Sequence, residues 1–132
     1  MIKLNEKTLA QLCLAAAAKY GEKPAFSLLS EEKIERTITY AQFGIRARQL
    51  GSLLRQFGIG NGDRVLLLSE NCPEWPVTYF GIAMAGAVSV PLLTGFSEEQ
   101  IQHIASHAGI SAICLSRSMI ERCQKQEILG SF

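Results

Sequence analysis

The sequence predicts an α/β fold: an N-terminal helix and a β-hairpin, then a βαβαβ unit with a small parallel sheet. Three observations carry this. Val65-Leu66-Leu67-Leu68 is a continuous apolar run without alternation, the pattern of a strand covered on both faces. Two similar runs follow, Ala87 to Val90 and Ala112 to Leu115, and helical patterns fill the intervals between the three. Upstream, Ala25 to Leu29 and Ile34 to Tyr40 flank the polar Ser30-Glu31-Glu32-Lys33. The second segment alternates Ile34, Arg36, Ile38 and Tyr40 against Glu35, Thr37 and Thr39, as a hairpin strand does.

The first helix is expected from about Thr8 to Tyr20, because Thr8 and Gln11 have capping-box spacing and Gly21 is placed for a left-handed stop. Thr39 and Gln42 repeat that spacing. Phe43, Ala47, Leu50, Leu54 and Phe57 follow at steps of four and three, so one face of a second helix is apolar and Gly58 ends it. Within the βαβαβ unit, Asn71 with Glu74 starts a helix from about Pro73 to Ala85, and Ser97 with Gln100 starts one from Glu98 to Ala108. Gly86 and Gly109 stop them. Ser118 and Glu121 predict a last helix from about Met119 to Leu129. Right-handed crossovers then lay the three strands side by side and parallel.

With 132 residues, 48% of them hydrophobic and 19% charged, the chain has the length and composition of one globular domain. Thirteen Lys and Arg against twelve Asp and Glu leave a net charge of +1, without the concentrated positive field that nucleic-acid binding needs. Apolar stretches are shorter than the ~20 residues of a membrane-spanning helix. Tyr20-Gly21-Glu22 is not a signal-peptide cleavage site, so a cytoplasmic location is expected. Cys13, Cys72, Cys114 and Cys123 are widely spaced, without a C-x-x-C pair, and read as reduced thiols, three of them in apolar periodic segments.

Four groups of residues invite a functional reading. Gly58-Ile59-Gly60-Asn61-Gly62-Asp63 has the composition of a phosphate-binding loop. Such a loop follows a strand and opens a helix, whereas this one follows a helix and precedes a strand, so it reads as a helix stop and tight turn. His103 and His107 are four apart, with Glu99 on the same stripe, but Ile101, Ile104, Ala105 and Ala108 mark the buried face. The pair is expected at the solvent edge, and with no third ligand nearby no structural zinc is expected. Ser69-Glu70-Asn71 follows the first buried strand, at the end where open α/β sheets bind ligands. Its bland reading is a helix cap and a loop carboxylate. Trp75 and Tyr79, at spacing four, and Phe80 read as packing residues.

Thr39-Tyr40-Ala41-Gln42-Phe43, Gly58 through Val65, Asn71-Cys72-Pro73-Glu74-Trp75 and Ala85 through Leu92 together resemble, in order and separation, the start of adenylate-forming (AMP-binding) enzymes. The likeness takes in Ser97 to Ile101 and the strand at Ala112 to Leu115, so it covers residues 5 to 116. The resemblance implies that residues 1–132 are a single N-terminal subdomain of an acid–thiol ligase, truncated before its phosphate loop. The full-length enzyme would use ATP and Mg²⁺ to convert a carboxylate to an acyl-adenylate, then pass the acyl group to coenzyme A. Pro91 to Ser97 looks most like fatty acyl-CoA ligases, which implies a fatty acid as the small-molecule substrate. The family's phosphate loop ending in Pro-Lys-Gly, its Tyr-Gly-x-Thr-Glu segment, its ribose-binding Asp and its C-terminal Lys have no counterpart here. No catalytic, cofactor-binding or metal residue is therefore assigned. Ser116-Arg117-Ser118, the nearest polar cluster, lacks the glycine that such a loop needs.

Amino-acid and aryl-acid adenylating enzymes share this scaffold and stay open as alternatives. So does a stand-alone α/β binding or interaction module that uses its own strand ends. A piece cut from a larger domain exposes apolar surface and strand edges, so a homo-oligomer is expected.

Overall fold

The computed structural model describes residues 7–125. Helix α1 (Leu9–Tyr20) begins at Thr8, whose hydroxyl accepts from the Gln11 amide at 3.1 Å. Gly21 ends it with a positive φ of 52° but a ψ of −117°, so the stop is not the left-handed helical one expected. The chain turns more sharply there, and the Gly21 carbonyl then accepts from the Ala41 amide of the next helix at 2.8 Å.

Strands β1 (Pro24–Ser30) and β2 (Lys33–Thr39) form the antiparallel hairpin, with Ser30 opposite Lys33. Only Ile38 is buried along β2, and Ile34 is exposed. The two turn residues, Glu31 and Glu32, both have positive φ, 45° and 66°. A two-residue hairpin loop with positive φ at both positions matches the twist of the strands but favours Asn and Gly, because a Cβ crowds the next carbonyl. Replacing Glu31-Glu32 with Asn-Gly is therefore expected to raise stability by about 1–2 kcal/mol. A urea midpoint that does not rise would contradict this turn geometry.

Helix α2 (Tyr40–Gln56) opens with a full capping box: Thr39 caps the Gln42 amide and the Gln42 side chain returns to the Thr39 amide. Strand β3 (Arg64–Leu68), helix α3 (Glu74–Ala85), strand β4 (Val88–Leu92), helix α4 (Glu98–Ala108), strand β5 (Ala112–Leu115) and helix α5 (Arg117–Lys125) complete the order. The sheet order is β4-β3-β5, all parallel, with Leu66 opposite Val90 on one side and Ile113 on the other.

Alternation along the central strand separates two cores. Val65 and Leu67 meet Leu54, Ile59, Ile82 and Ala85, so α2 and α3 cover one face. Leu66 and Leu68 meet Leu92, Ile101, Ala105 and Cys123, so α4 and α5 cover the other. Strand β3 is buried on both faces as its sequence predicts, whereas Val88 in β4 is half exposed at the sheet's margin. A third cluster of Cys13, Ile38, Phe43, Ala47 and Val77 fastens α1 and the hairpin onto α2 and α3.

Several element starts differ from the sequence reading by a residue or two. Strand β4 begins at Val88 rather than Ala87 and runs through Pro91 to Leu92. Pro73 itself takes helical dihedrals before α3, and the Trp75 amide bonds the Cys72 carbonyl. Asn71 is thus too far upstream to cap α3, and no side chain caps it. Helix α5 starts at Arg117, two residues before the expected Met119, with the Ser116 hydroxyl accepting from the Met119 amide at 3.4 Å. Ser118 is engaged elsewhere, and the expected stretch from residue 126 to Leu129 lies outside the described residues.

Candidate functional site

Strands β3 and β5 are neighbours, but β3 leads into α3 on one face and β5 into α5 on the other. The chain therefore parts at their carboxyl ends, which is where open α/β sheets form ligand crevices. A cleft of about 460 Å³ lies there. Leu67, Cys114 and Leu115 contribute its strand side, the segment Ser69–Cys72 one wall, and Ser116 and Arg117 the other.

Glu70 sits at the centre of its polar contacts. Its Oε2 accepts from Ser116 Oγ at 2.5 Å and from Ser118 Oγ at 3.0 Å, while the Ser116 amide donates to the Leu68 carbonyl at 3.3 Å. The Ser116 hydroxyl holds the Glu70 carboxyl below the ordinary carboxylate range, helped by the residue's own backbone and, less, by Ser118. A carboxylate made less basic in this way is a poor general base. These contacts tie β5 and α5 to the loop after β3, which makes Glu70 a clamp across the crevice. Sequence position pointed to Ser69-Glu70-Asn71, but the partners Ser116 and Ser118, about fifty residues on, carry no local signal.

A carboxyl with a depressed folded pKa adds stability above its unfolded value of 4.5, and loses it as pH falls through the lower folded value. Glu70→Gln is accordingly expected to be less stable than the parent at neutral pH, with the difference shrinking in acid. Urea midpoints measured from neutral to strongly acidic pH would show it; a difference independent of pH would contradict the clamp.

Other candidates fall away from the crevice. The Gly58 to Asp63 segment lies at the amino ends of the strands. Gly58 ends α2 at φ 80°, Asp63 Oδ2 accepts from the Gly60 amide at 2.8 Å, and Asp63 Oδ1 accepts from Ser111 Oγ at 2.8 Å. It is a helix stop and turn, as its order predicts. His103 and His107 are exposed on α4 with rings 6.2 Å apart. Among the described residues no group of three or more His, Cys, Asp or Glu could hold a metal ion. Trp75 and Tyr79 stack at 5.4 Å and pack against the α2–α3 core, and Phe80 meets Phe43 edge to face at 5.2 Å. All three are packing residues, as their spacing suggests.

All four cysteines are free. Burial pushes the Cys13 thiol up to about 11 against the pull of Arg48, and burial raises Cys114 and Cys123 as well. A raised thiol is a weak nucleophile at neutral pH. Cys114, which lines the crevice, is such a thiol. The crevice's central group is an anion, which repels a phosphate placed directly beside it.

A parallel sheet wound on both faces, with a crevice where its connections part, defines the open α/β class of fold. Residues 13–130 match the family of AMP-binding enzymes, and the chain belongs to that family. It is similar to 4-coumarate–CoA ligase 3 of Oryza sativa subsp. japonica, 28% identical over 92% of this chain and 21% of that protein. It is also similar to crotonobetaine/carnitine–CoA ligase of Salmonella paratyphi A, 33% identical over 83% of this chain and again 21% of that protein. A crystal structure from Rhodopseudomonas palustris, provisionally described as a long-chain-fatty-acid CoA ligase, matches with a TM-score of 0.81 and 25% identity. The match covers 98% of this chain and 31% of that one. The chain thus spans about a fifth of the length of these curated relatives, and its α/β architecture is that of the N-terminal domain of adenylate-forming enzymes.

Proposed function

We propose that residues 1–132 are the N-terminal scaffold of an ATP-dependent acid–thiol ligase, and that the groups performing the chemistry lie outside this sequence. The family match over residues 13–130 is the observation that carries this reading. In the full-length enzyme a carboxylate displaces pyrophosphate from ATP, with Mg²⁺ balancing the phosphate charge. The thiol of coenzyme A then takes the acyl group and releases AMP. The acid is a fatty acid, a reading supported by the Pro91 to Ser97 segment and by the likeness to the Rhodopseudomonas protein. Small aryl or quaternary-ammonium acids form the second reading, favoured by the coumarate and crotonobetaine relatives. The enzyme works in the cytoplasm.

The scaffold alone is inactive, because stabilisation of developing charge is the largest catalytic term and the family's phosphate loop has no counterpart in this sequence. With ATP, Mg²⁺ and palmitate, the 132-residue chain is expected to release no pyrophosphate above a protein-free blank. Carboxylate-dependent release would overturn the scaffold reading. For the full-length enzyme, a higher kcat/KM on 4-coumarate or crotonobetaine than on any fatty acid would reject the fatty-acid reading.

The scaffold by itself is also expected to form a homo-oligomer. Strands β4 and β5 each pair only with β3 among the described residues, and Val88 and Leu93 are exposed beside the β4 edge. Bare edges and apolar patches recruit further chains. Sedimentation at several concentrations tests this, and a clean monomer at all of them would contradict it.

A further inference from the structure

Charge is unevenly placed on this nearly neutral chain. The twelve residues of α1 and the seventeen of α2 carry Lys19, Arg46, Arg48 and Arg55 and no carboxylate at all. Among the described residues the carboxylates lie elsewhere: just past the end of α1 at Glu22, in the hairpin, at the strand ends, at the starts of α3 and α4, and in α5. Arg46 is partly offset by Glu74 at 4.0 Å, and Arg55 donates to the Met84 carbonyl while keeping its charge. Arg48 is exposed and has no ion pair among the described residues.

Apolar groups share this outer face. Ile45, Leu53 and Phe57 are 58%, 47% and 77% exposed. Ile45, Gln49, Leu53 and Phe57 recur every fourth residue, so they form one stripe along α2 and its C-terminal cap. A shallow groove follows the stripe, bounded by Ala17 and Ala18 of α1, and continues past Arg48 to Leu53. Arg48 and Arg55, seven residues apart, flank one side of the stripe, and Arg46 flanks the other. An apolar stripe with cations on both sides and no carboxylate on its own two helices is the pattern of a helix lying in the interface of a negatively charged bilayer. Apolar side chains enter the headgroup boundary while the guanidinium groups meet lipid phosphates.

We propose that the outer face of α1 and α2 docks this protein on an anionic lipid surface. A second copy of the same face is a poorer occupant, since it would set Arg48 and Arg55 against their own like charges. Such docking is independent of which acid the enzyme activates and is measured without a catalytic readout.

The chain is mixed with vesicles of phosphatidylcholine alone, or of equal parts phosphatidylcholine and phosphatidylglycerol, and pelleted at low and high salt. Binding to the anionic vesicles is expected to exceed binding to the neutral ones by about tenfold or more, and to weaken at high salt. Arg48→Glu keeps the apolar stripe and changes two charges, so it is expected to lose about tenfold or more in anionic-vesicle binding. Ile45→Ser/Leu53→Ser/Phe57→Ser alters only exposed positions and is expected to lose binding to both vesicles with its circular dichroism unchanged. Equal pelleting with both vesicles, no pelleting with either, or full binding by a folded triple variant would overturn the proposal. A concentration-dependent dimer that the triple variant abolishes would assign the face to a second copy instead, and overturn it as well.

Discussion

Leu66→Ala is expected to lower the free energy of unfolding by about 2–5 kcal/mol, the range for truncating an enclosed leucine. Leu66 is 1% exposed at the middle of the central strand. Hydrogen-bonded strands flank it on both sides, and Ile101 and Ala105 of α4 lie in the same core. None of these can collapse into the space without moving the sheet, so a cavity remains. Natural domains hold only about 5–15 kcal/mol in all, and the substitution removes a large share of that. Urea unfolding followed by circular dichroism measures it, with Leu93→Ala as an exposed comparison expected to change stability by less than about 0.5 kcal/mol. A cost for Leu66→Ala below about 1 kcal/mol would mean that this face of the strand is not enclosed.

Gly51→Ala is expected to destabilise by about 1–3 kcal/mol, although alanine is the better helix former by about 1 kcal/mol. Where α2 crosses α3, a Cβ on Gly51 would meet Met84 Cβ at 2.8 Å and the Gly81 carbonyl oxygen at 3.0 Å. Neither atom is the far end of a flexible side chain, so the helices must separate. Separation loosens Leu54, Ile82 and Ala85 from Val65 and Leu67, which share one core. Urea unfolding again gives the sign: a more stable Gly51→Ala would show that propensity outweighs the crossing. Gly44→Ala offers a second test of close helix packing, at a contact of 2.6 Å with Ala17 Cβ between α1 and α2.

The sequence by itself determined which segments become helices and strands, and hence the class of fold. The signals were local: capping boxes at Thr39 and Ser97 form as their spacing requires, and Gly86 and Gly109 take left-handed stops. The unalternating run Val65 to Leu68 was enough to place a strand between two layers of helices, because only a doubly covered strand tolerates apolar side chains on both faces. Where several local devices compete, the reading missed by a residue or two. Pro73 displaced Asn71 as the start of α3, and Ser116 displaced Ser118 as the cap of α5.

Only the tertiary structure decided what depends on residues far apart in the chain. The meeting of Glu70 with Ser116 and Ser118 requires β3 and β5 to be neighbours, which no spacing within either segment encodes. The need for glycine at positions 44, 51 and 81 comes from the approach of one helix axis to another. Along α2 the helical period located the apolar face as far as Leu54, but Phe57, expected on that face, is 77% exposed past the helix end, and the period could not show that Ile45 and Leu53 stay uncovered. Side-chain periodicity reports the geometry of a single element. Which elements cover one another is set by the order of the strands and the hand of the crossovers, and that order appears only when the whole chain is folded.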